Sequence, residues 1–586
     1  MLRLNWLSVI NFRSLQSFLI TFPELTVLVG KNDVGKSNVL AAIKLLLEGG
    51  TVGPVDFYDL TKPIIIEAIL EAATSYLPLC DAKNRSKIED RINQQGQIRI
   101  RRITDEEKKL GKIEIQDSKD GTFGTPTGID AALKPFLPEV IFIGALDDVS
   151  EEAESSKKGA VGKLMAQILA RVKEKVQSQL DKAYEDASRL LNPQSTVENG
   201  KTKVLDDRLT ELKDVEGRIS HHLQEMFPAA SAALRVKLPI AEDIFKNVDI
   251  LITEGSRPPE PYYRRGHGLQ RSLHLSLLRA LAFYIRQQSG KDVARPFILL
   301  FEEPETCLHP DGQIKMRKAL SDISKQEQVV IATHSPILIA PEMIERTVRL
   351  DKIATAEGPK LATTAYGPLK TSELAASERD IQRLFEFQRS AKFMFARGVL
   401  LVEGIADEYL IAAAAKVRKN LDLDFNEIAV VESGGKDTVV LFMAVLRKLS
   451  LKTWGLLDLD FLWNGAGEVF QGDSEYSSFL QTLDKLVPTK SRPATDAERK
   501  EEKRKKVEAC NTQLSSNVQS LTNRLVKDGL YVLRRGEIEK YFGMTDSSKG
   551  QYMKVARGVL SGDRKIEYAE ELDQLLGDIQ SWALSV

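Results

Sequence analysis

The sequence predicts two α/β modules in series, the first interrupted by a helical hairpin. Three observations carry that prediction. A buried-strand run, Leu25–Val29, passes through a glycine-rich turn into an apolar-periodic helix, Ser37–Leu47. Between about Ala160 and Phe227, apolar residues recur at spacings of three and four, as on one face of long helices. After a small, polar join over 351–378, a second strand–helix series opens at Val399–Val402.

Taken in order, Met1–Phe12 is strand-like, and Ile64–Leu70, Gly96–Ile103 and Val140–Gly144 add further strands. The first arm of the hairpin places Val161, Leu164, Met165, Ile168, Leu169, Val172, Val176 and Leu180 on one stripe. Asn192, Pro193 and the polar stretch to Gly200 form a turn. A second helix carries Leu205, Leu209, Leu212, Val215, Ile219, Leu223 and Met226 up to Pro228. Such a hairpin is either solvated and packed on its own domain or a dimerisation arm, and the length of its stripes favours the arm. Strand signals return at Val248–Thr253, Pro296–Phe301, Val329–Ala332 and Thr347–Leu350. The second series continues through Ile428–Val431, Trp454–Leu457 and Tyr531–Leu533. Within its irregular insertion, Ala494–Ala509 is nearly all Lys, Arg and Glu, the composition of an exposed helix. The expected boundaries are 1–150 plus 230–375 for the first module, 151–229 for the helical insertion and 390–586 for the second module.

A chain of 586 residues exceeds what one core serves. With 82 Lys plus Arg against 83 Asp plus Glu, the net charge of -1 excludes a globally basic nucleic-acid binder, so such contacts need local patches. Cys80, Cys307 and Cys510 are far apart and odd in number, which speaks for a reducing compartment without a disulfide framework. The six histidines show no zinc-like spacing, so any metal is held by oxygen, which favours Mg²⁺ or Mn²⁺. No apolar run approaches the roughly 18 residues of a membrane span, and a cytoplasmic protein is expected.

Gly30-Lys31-Asn32-Asp33-Val34-Gly35-Lys36-Ser37 is a complete G-x-x-x-x-G-K-S loop between a strand and a helix. Gly30 and Gly35 let the backbone curl, so that N–H groups such as that of Asn32 face phosphates and the helix dipole adds favourable field. Lys36 reaches the outer phosphates of ATP and Ser37 holds Mg²⁺. Downstream, Phe297–Phe301 ends in Glu302-Glu303, a strand delivering carboxylates to its C-terminal edge. Glu302 is expected near the Mg²⁺ and Glu303 at the attacking water.

Glu305-Thr306-Cys307-Leu308-His309-Pro310 follows, and Val329–Ala332 ends in Thr333-His334-Ser335. With Ile10-Asn11-Phe12-Arg13-Ser14, these stretches resemble the ABC-type ATPases of the RecF, SMC and OLD (overcoming lysogenization defect) group. The resemblance implies a D-loop after the glutamates and makes His334 the switch histidine on the γ-phosphate. Arg265-Gly266-His267-Gly268-Leu269-Gln270-Arg271 resembles a degenerate G-x-G-x-Q-R signature, giving Gly266, Gly268 and Gln270 to a partner's nucleotide. It lacks the serine that usually precedes the two glycines.

In the last third, Leu400-Leu401-Val402-Glu403-Gly404 is a buried strand ending in an acid, with Asp407 and Glu408 beginning a helix. Leu456-Leu457-Asp458-Leu459-Asp460 ends a second strand in D-x-D. Residues i and i+2 of a strand share a face, so Asp458 and Asp460 are expected to converge on one cation with Glu403. Oxygen clusters of this kind suit Mg²⁺ or Mn²⁺ and phosphoryl transfer. E-G-x-x-D with D-x-D resembles the Toprim fold of topoisomerases, primases and OLD-family nucleases. Leu533–Tyr541 is similar to the OLD-type stretch in which Glu537 or Glu539 serves a second metal, and Lys549 stands where that family carries a lysine near the scissile phosphate. Lys436, after Ser433-Gly434-Gly435, either touches DNA phosphate or closes a plain turn.

The order of motifs is similar to the OLD family over nearly the whole chain. Membership implies an ATP-hydrolysing, metal-dependent DNA nuclease, an ABC-type ATPase domain with an inserted helical hairpin followed by a Toprim α/β domain. It also implies a homodimer and often a part in phage defence, under a phage or host trigger that the residues do not name. Two other readings stand beside it: an SMC- or RecF-like DNA-binding ATPase without nuclease activity, and an effector that cleaves RNA or tRNA. Retention of Glu403, Asp458 and Asp460 disfavours the first; shared phosphate chemistry leaves the second open.

Overall fold

The computed structural model describes residues 2–585 apart from 81–84, 126–132, 134–135, 146–162, 165–176, 193, 199–200, 227, 235, 237–249, 256–257, 288–295, 356–357, 370–391, 489–494 and 545–549. Packing divides the chain into two units, one of residues 1–3, 71–97 and 126–329, the other of residues 4–70, 98–125 and 330–586.

The larger unit holds two complete sheets and a further set of paired strands. β1 (Arg3–Phe12) and β2 (Leu15–Thr21) form an antiparallel hairpin at the edge of the sheet β2-β1-β4-β5-β6-β7, completed by β4 (Ile65–Glu71), β5 (Ile98–Ile103), β6 (Glu114–Gln116) and β7 (Phe123–Gly124). β3 (Leu25–Val29) is buried at all five positions, as Leu-Thr-Val-Leu-Val with neighbours on both sides demands. It leads through the phosphate-loop motif into α1 (Lys36–Glu48). β14 (Gln328–Ala332) lies on one side of β3 and β15 (Thr347–Thr355) runs parallel to it on the other. β16 (Gly358–Tyr366) folds back antiparallel on β15. Residues 351–366, expected to be a polar join, are therefore largely a two-stranded extension of this sheet. Their alternating Thr, Ala and Leu satisfy a half-covered edge despite low mean hydropathy.

The second sheet of this unit is wholly parallel, in the order β18-β17-β19-β20, from β17 (Gly398–Val402), β18 (Ile428–Glu432), β19 (Lys452–Asp458) and β20 (Leu530–Leu533). β17 is central and fully buried, each of its large apolar side chains contributing about 1.5–3 kcal/mol. A side chain at Gly398 would overlap the Trp454 ring, its Cβ falling 2.7 Å from it. α7 (Ile405–Lys419) and α8 (Lys436–Lys448) follow β17 and β18. α7 ends at Asn420 in the left-handed region after Lys416, Arg418 and Lys419, a helix stop with cations on its negative end. Beyond β19 come α9 (Ser474–Leu486), α10 (Asp496–Thr512) and α11 (Ser515–Val526). After β20 come α12 (Ile538–Tyr541), α13 (Gln551–Ser561) and α14 (Ala569–Ser585).

In the smaller unit, β8 (Glu139–Ile143) pairs parallel with β13 (Phe297–Glu302). Two helices pack on each other, α5 (His267–Gln287) and α6 (Pro310–Ile323). The short α2 (Arg85–Glu89) and the small pair β11 (Leu251–Ile252) and β12 (Glu260–Pro261) also belong here. Of the expected hairpin, residues 160–176 lie outside the described residues except 163 and 164. The described part is α3 (Gln177–Leu191) and α4 (Thr210–Met226). The expected turn is instead an antiparallel β-hairpin, β9 (Gln194–Glu198) with β10 (Lys201–Leu205). Leu205 thus ends a strand rather than starting a helix; Thr and Val in this stretch favour extended backbone over a plain turn. Arg208 fixes the entry to α4 by bonding Asp206 at 2.8 Å and Glu216 at 2.5 Å. Leu209, just before α4, and Val215 and Ile219 along it are exposed.

Candidate functional site: a phosphate loop and a carboxylate cluster

The phosphate loop is built by backbone geometry. Gly30 and Gly35 have φ of +145° and +102°. A Cβ at Gly30 would fall 2.5 Å from Leu350 O, and one at Gly35 would fall 2.5 Å from Thr363 Oγ1. Both positions accept glycine alone. α1 starts without a side-chain cap and without an acid in its first turn, so its N-terminal N–H groups and dipole are left for an anion. Lys36 is buried and its Nζ is held by Gly30 O at 3.1 Å, Lys31 O at 2.8 Å and His334 Nε2 at 2.7 Å. The structure therefore brings together Lys36 and His334, 298 residues apart. Asn32 and Ser37 are exposed at the loop. Two ion pairs hold its tip: Asp33 with Lys352 at 2.7 Å, and Lys31 with Glu427 at the foot of β18.

Glu302 and Glu303 lie in the smaller unit, where Glu302 is the last residue of β13. Glu303 follows at φ +48°, a left-handed conformation that non-glycine residues adopt at a cost of about 1–3 kcal/mol. Gly266 immediately precedes α5, and Gly268 lies in its first turn. A Cβ at Gly268 would stand 3.8 Å from Cys307 O, and His267, Gln270, Thr306 and Cys307 line one cavity. The two stretches read as signature and D-loop thus face each other. Gln270 donates to Arg265 O at 2.8 Å. Arg271 donates to Gly144 O at 2.5 Å. Behind them His274 is buried with neither ring nitrogen hydrogen-bonded, and burial lowers its pKa to about 4.

In the parallel sheet, Glu403 directly follows Val402, the last residue of β17, and Asp458 ends the neighbouring β19. Oxygens of Glu403, Asp458 and Asp460 lie within 4.8 Å of one another. The expected route for Asp460 is corrected: β19 stops at Asp458, and Leu459–Leu462 form a 3₁₀ turn that swings Asp460 back. The two aspartates meet through a strand end plus a turn, not through i, i+2 alternation. Glu403 Oε1 accepts from Asp458 N–H at 2.8 Å. Burial raises the pKa of Glu403 against that bond, with Asp460 adding to the rise. Burial, then Glu403 and Asp407, raises Asp458 well above the ordinary carboxylate range. Asp407 caps its own helix, accepting from Gly404 N–H at 2.8 Å, and its pKa rises to about 7 through burial, with Glu539 and Glu403 adding to it.

Glu537 and Glu539 follow the last strand of the sheet: β20 ends at Leu533, Glu537 directly precedes α12 and Glu539 lies within it. Neither belongs to the group of three, although both are half-buried beside it and burial raises Glu539. Lys549 lies outside the described residues. Lys436 turns inward to Asp460 Oδ2 at 2.5 Å, neither a plain turn residue nor an exposed one.

Lys503 escaped the sequence reading. Its Nζ lies 3.6 Å from Asp458, 3.4 Å from Asp460 and 2.6 Å from Glu537. Burial alone would lower its pKa, but Glu537, Asp460 and Asp458 together raise it. A signal was present: Val507, Cys510 and Leu514 are buried at helical spacing from Lys503, so this charged helix has an inner face. The donor set fits a hard divalent cation. It offers carboxylate oxygens, no sulfur or imidazole, and a buried Asp460 Oδ1 that accepts no hydrogen bond.

Fold and site together define a P-loop ATPase joined to a Toprim domain. The profile of the AAA ATPase domain family matches residues 3–133 and 83–339, and that of the overcoming lysogenization defect protein-like Toprim domain matches 394–460. The chain belongs to the AAA ATPase domain family, and the Toprim domain that follows is similar to that of overcoming lysogenization defect proteins. The Old nuclease of Escherichia phage P2 is 27% identical over 561 residues, 92% of this chain and 93% of the relative. The OLD nuclease of Thermus scotoductus is 23% identical, covering 76% of this chain and 80% of its own. The endonuclease GajA of Bacillus cereus is 23% identical, covering 69% and 66%. Among the described residues, no helix is long and apolar enough to cross a membrane.

Proposed function

We infer that this protein is an ATP-hydrolysing, metal-dependent DNA nuclease. The observation that carries the reading is the triad of Glu403 after β17, Asp458 at the end of the adjacent parallel β19 and Asp460 in the turn that follows it. It occurs in a chain whose similarity to named nucleases spans most of its length. Glu403, Asp458 and Asp460 would hold the divalent cation, with Asp407 and one of Glu537 and Glu539 behind them or at a second ion. A cation bound there would lower the pKa of a bound water and neutralise charge building on phosphate. Lys436 orients Asp460, and the Asp458 N–H bond orients Glu403. At the other site, Gly30, Asn32, Gly35, Lys36 and Ser37 bind ATP, Glu302 serves its Mg²⁺, Glu303 orients water and His334 reads the γ-phosphate. Gly266, Gly268 and Gln270 close on a partner's nucleotide in a homodimer that the α3–α4 arm supports, its exposed Leu209, Val215 and Ile219 being the contact surface.

The test is incubation of the purified full chain with circular and linear DNA and with structured RNA, with Mg²⁺ or Mn²⁺, with and without ATP. Metal-dependent cutting of DNA that disappears in Asp458→Ala supports the reading. Cutting of RNA alone, or undiminished cutting by the variant, overturns it.

A further inference from the structure

Three carboxylates within 4.8 Å repel one another, and among the described residues Lys436 and Lys503 bring ammonium groups against them. The two are placed differently. Lys436 meets Asp460 through Oδ2. Lys503 stands on the opposite oxygen, Oδ1, and reaches Asp458 Oδ2 and Glu537 as well. Its Nζ therefore sits between the two aspartates that would help hold a divalent cation, facing the Asp460 oxygen that no hydrogen bond satisfies. The helix behind it is anchored by the buried Val507 and Cys510, while Lys503 itself rides on a flexible four-carbon stem.

We propose that Lys503 is a tethered competitor for the divalent cation: its ammonium pairs with the same aspartates that would hold the ion, and it must leave them for the ion to bind. The proposal rests on the reading of Glu403, Asp458 and Asp460 as cation ligands. A divalent ion and an ammonium do not share one pair of aspartates at these distances, because their repulsion in a partly buried site is strong. Lys503 thus sets the concentration of ion at which the site fills, and it keeps the carboxylates together until then. The charged helix α10, which has the composition of a solvated surface element, acts as the carrier of that one group.

The experiment is calorimetric titration of Mn²⁺ into the full-length chain without nucleotide, for wild type, Lys503→Met, Lys503→Arg and Asp458→Ala. Lys503→Met should bind Mn²⁺ more tightly by on the order of tenfold, the scale of coupling between linked sites. Lys503→Arg, which keeps the charge, should stay near wild type. Equal or weaker binding in Lys503→Met, with wild-type binding present and lost in Asp458→Ala, overturns the competitor and leaves the metal site standing. Binding that Asp458→Ala leaves untouched overturns both. A second readout needs no variant: acetic anhydride labelling followed by peptide mass spectrometry should modify Lys503 faster once Mn²⁺ is added. Unchanged or slower labelling overturns the proposal.

Discussion

The phosphate loop and the carboxylate cluster are mirror images in charge and opposites in construction. At the loop, positive potential comes from backbone: glycines at φ +145° and +102°, an uncapped helix start, and one lysine held by carbonyls. At the cluster, negative charge comes from side chains on two strand ends and a turn, and it is held together by inward-turned lysines. The difference teaches where each site is fragile. The loop depends on shape, so steric substitutions should ruin it. The cluster depends on charge balance, so isosteric neutral substitutions should ruin it, and removing a counter-charge can even improve cation binding.

The largest expected effect is a double dissociation. Glu303→Gln should slow ATP turnover by roughly 10²–10⁴-fold, the usual contribution of a positioned base, while DNA cutting in Mn²⁺ without ATP stays near wild type. Asp458→Ala should lower cutting by more than about 100-fold, beyond what outer-shell partners of a metal carry, and leave ATP turnover intact. Steady-state ATPase and plasmid-cleavage assays on the same preparations decide it. If either variant loses both activities, the two sites are not separate machines.

Gly30→Ala probes shape. The new Cβ would meet a backbone carbonyl, Leu350 O, at 2.5 Å and would hold a conformation that suits glycine. Backbone strain and overpacking together are worth on the order of 2–6 kcal/mol. ATP binding by fluorescent-nucleotide titration should vanish and the melting temperature should fall. An alanine variant that binds ATP normally would mean the loop tolerates shape after all.

These contrasts also explain what could be read from sequence. The loop and the strand-terminal acids Glu403 and Asp458 are local signals, a few adjacent residues whose spacing is itself the chemistry. Asp460 was placed rightly for a wrong reason, since nothing local distinguishes a strand that continues from one that turns into 3₁₀ at Leu459. Residues 351–366 lacked the large β-branched residues of a buried strand, yet pairing of β16 with β15 makes them sheet. Lys503 was invisible among ten charged neighbours on its helix because its role is set by acids that lie 43 to 45 residues before it and 34 after it in the chain. Only the inner stripe at Val507, Cys510 and Leu514 marked that face.

A smaller effect asks whether burial alone shifts charge in both directions. Burial raises Glu403 and Asp458, and by the same physics it lowers His274, to about 4 from 6.5. Above pH 6.5 His274 is neutral folded or unfolded and costs nothing. As pH falls from 6.5 towards 4, the unfolded chain takes up the proton first, so stability is lost across that window. At about 1.4 kcal/mol per unit the full loss is on the order of 3 kcal/mol. Hydrogen exchange of α5, corrected for intrinsic rates, should accelerate between pH 6.5 and 4.5 in wild type and much less in His274→Leu. Equal pH slopes would show that the ring finds a partner that the folded geometry does not supply.

The smallest expected effect concerns an ion pair between the phosphate loop and the segment that enters the parallel sheet, Lys31 with Glu427. Lys31 belongs to the phosphate loop, and Glu427 stands immediately before β18, the strand parallel to the one that delivers Glu403. Both side chains are partly exposed, at 32% and 50%, so the pair contributes no more than about 1 kcal/mol and weakens with salt. Glu427→Gln should therefore melt within that margin of wild type. Lys31 would then be released to a bound polyphosphate, so ATP affinity should rise slightly, by less than about fivefold, and the gain should shrink at high ionic strength. DNA cutting without ATP should not change, because the carboxylates keep their lysines and their strand register. A loss of cutting in Glu427→Gln would show that the parallel sheet transmits the state of the phosphate loop to its opposite end, and the division between a site built on shape and a site built on charge would no longer describe two independent parts.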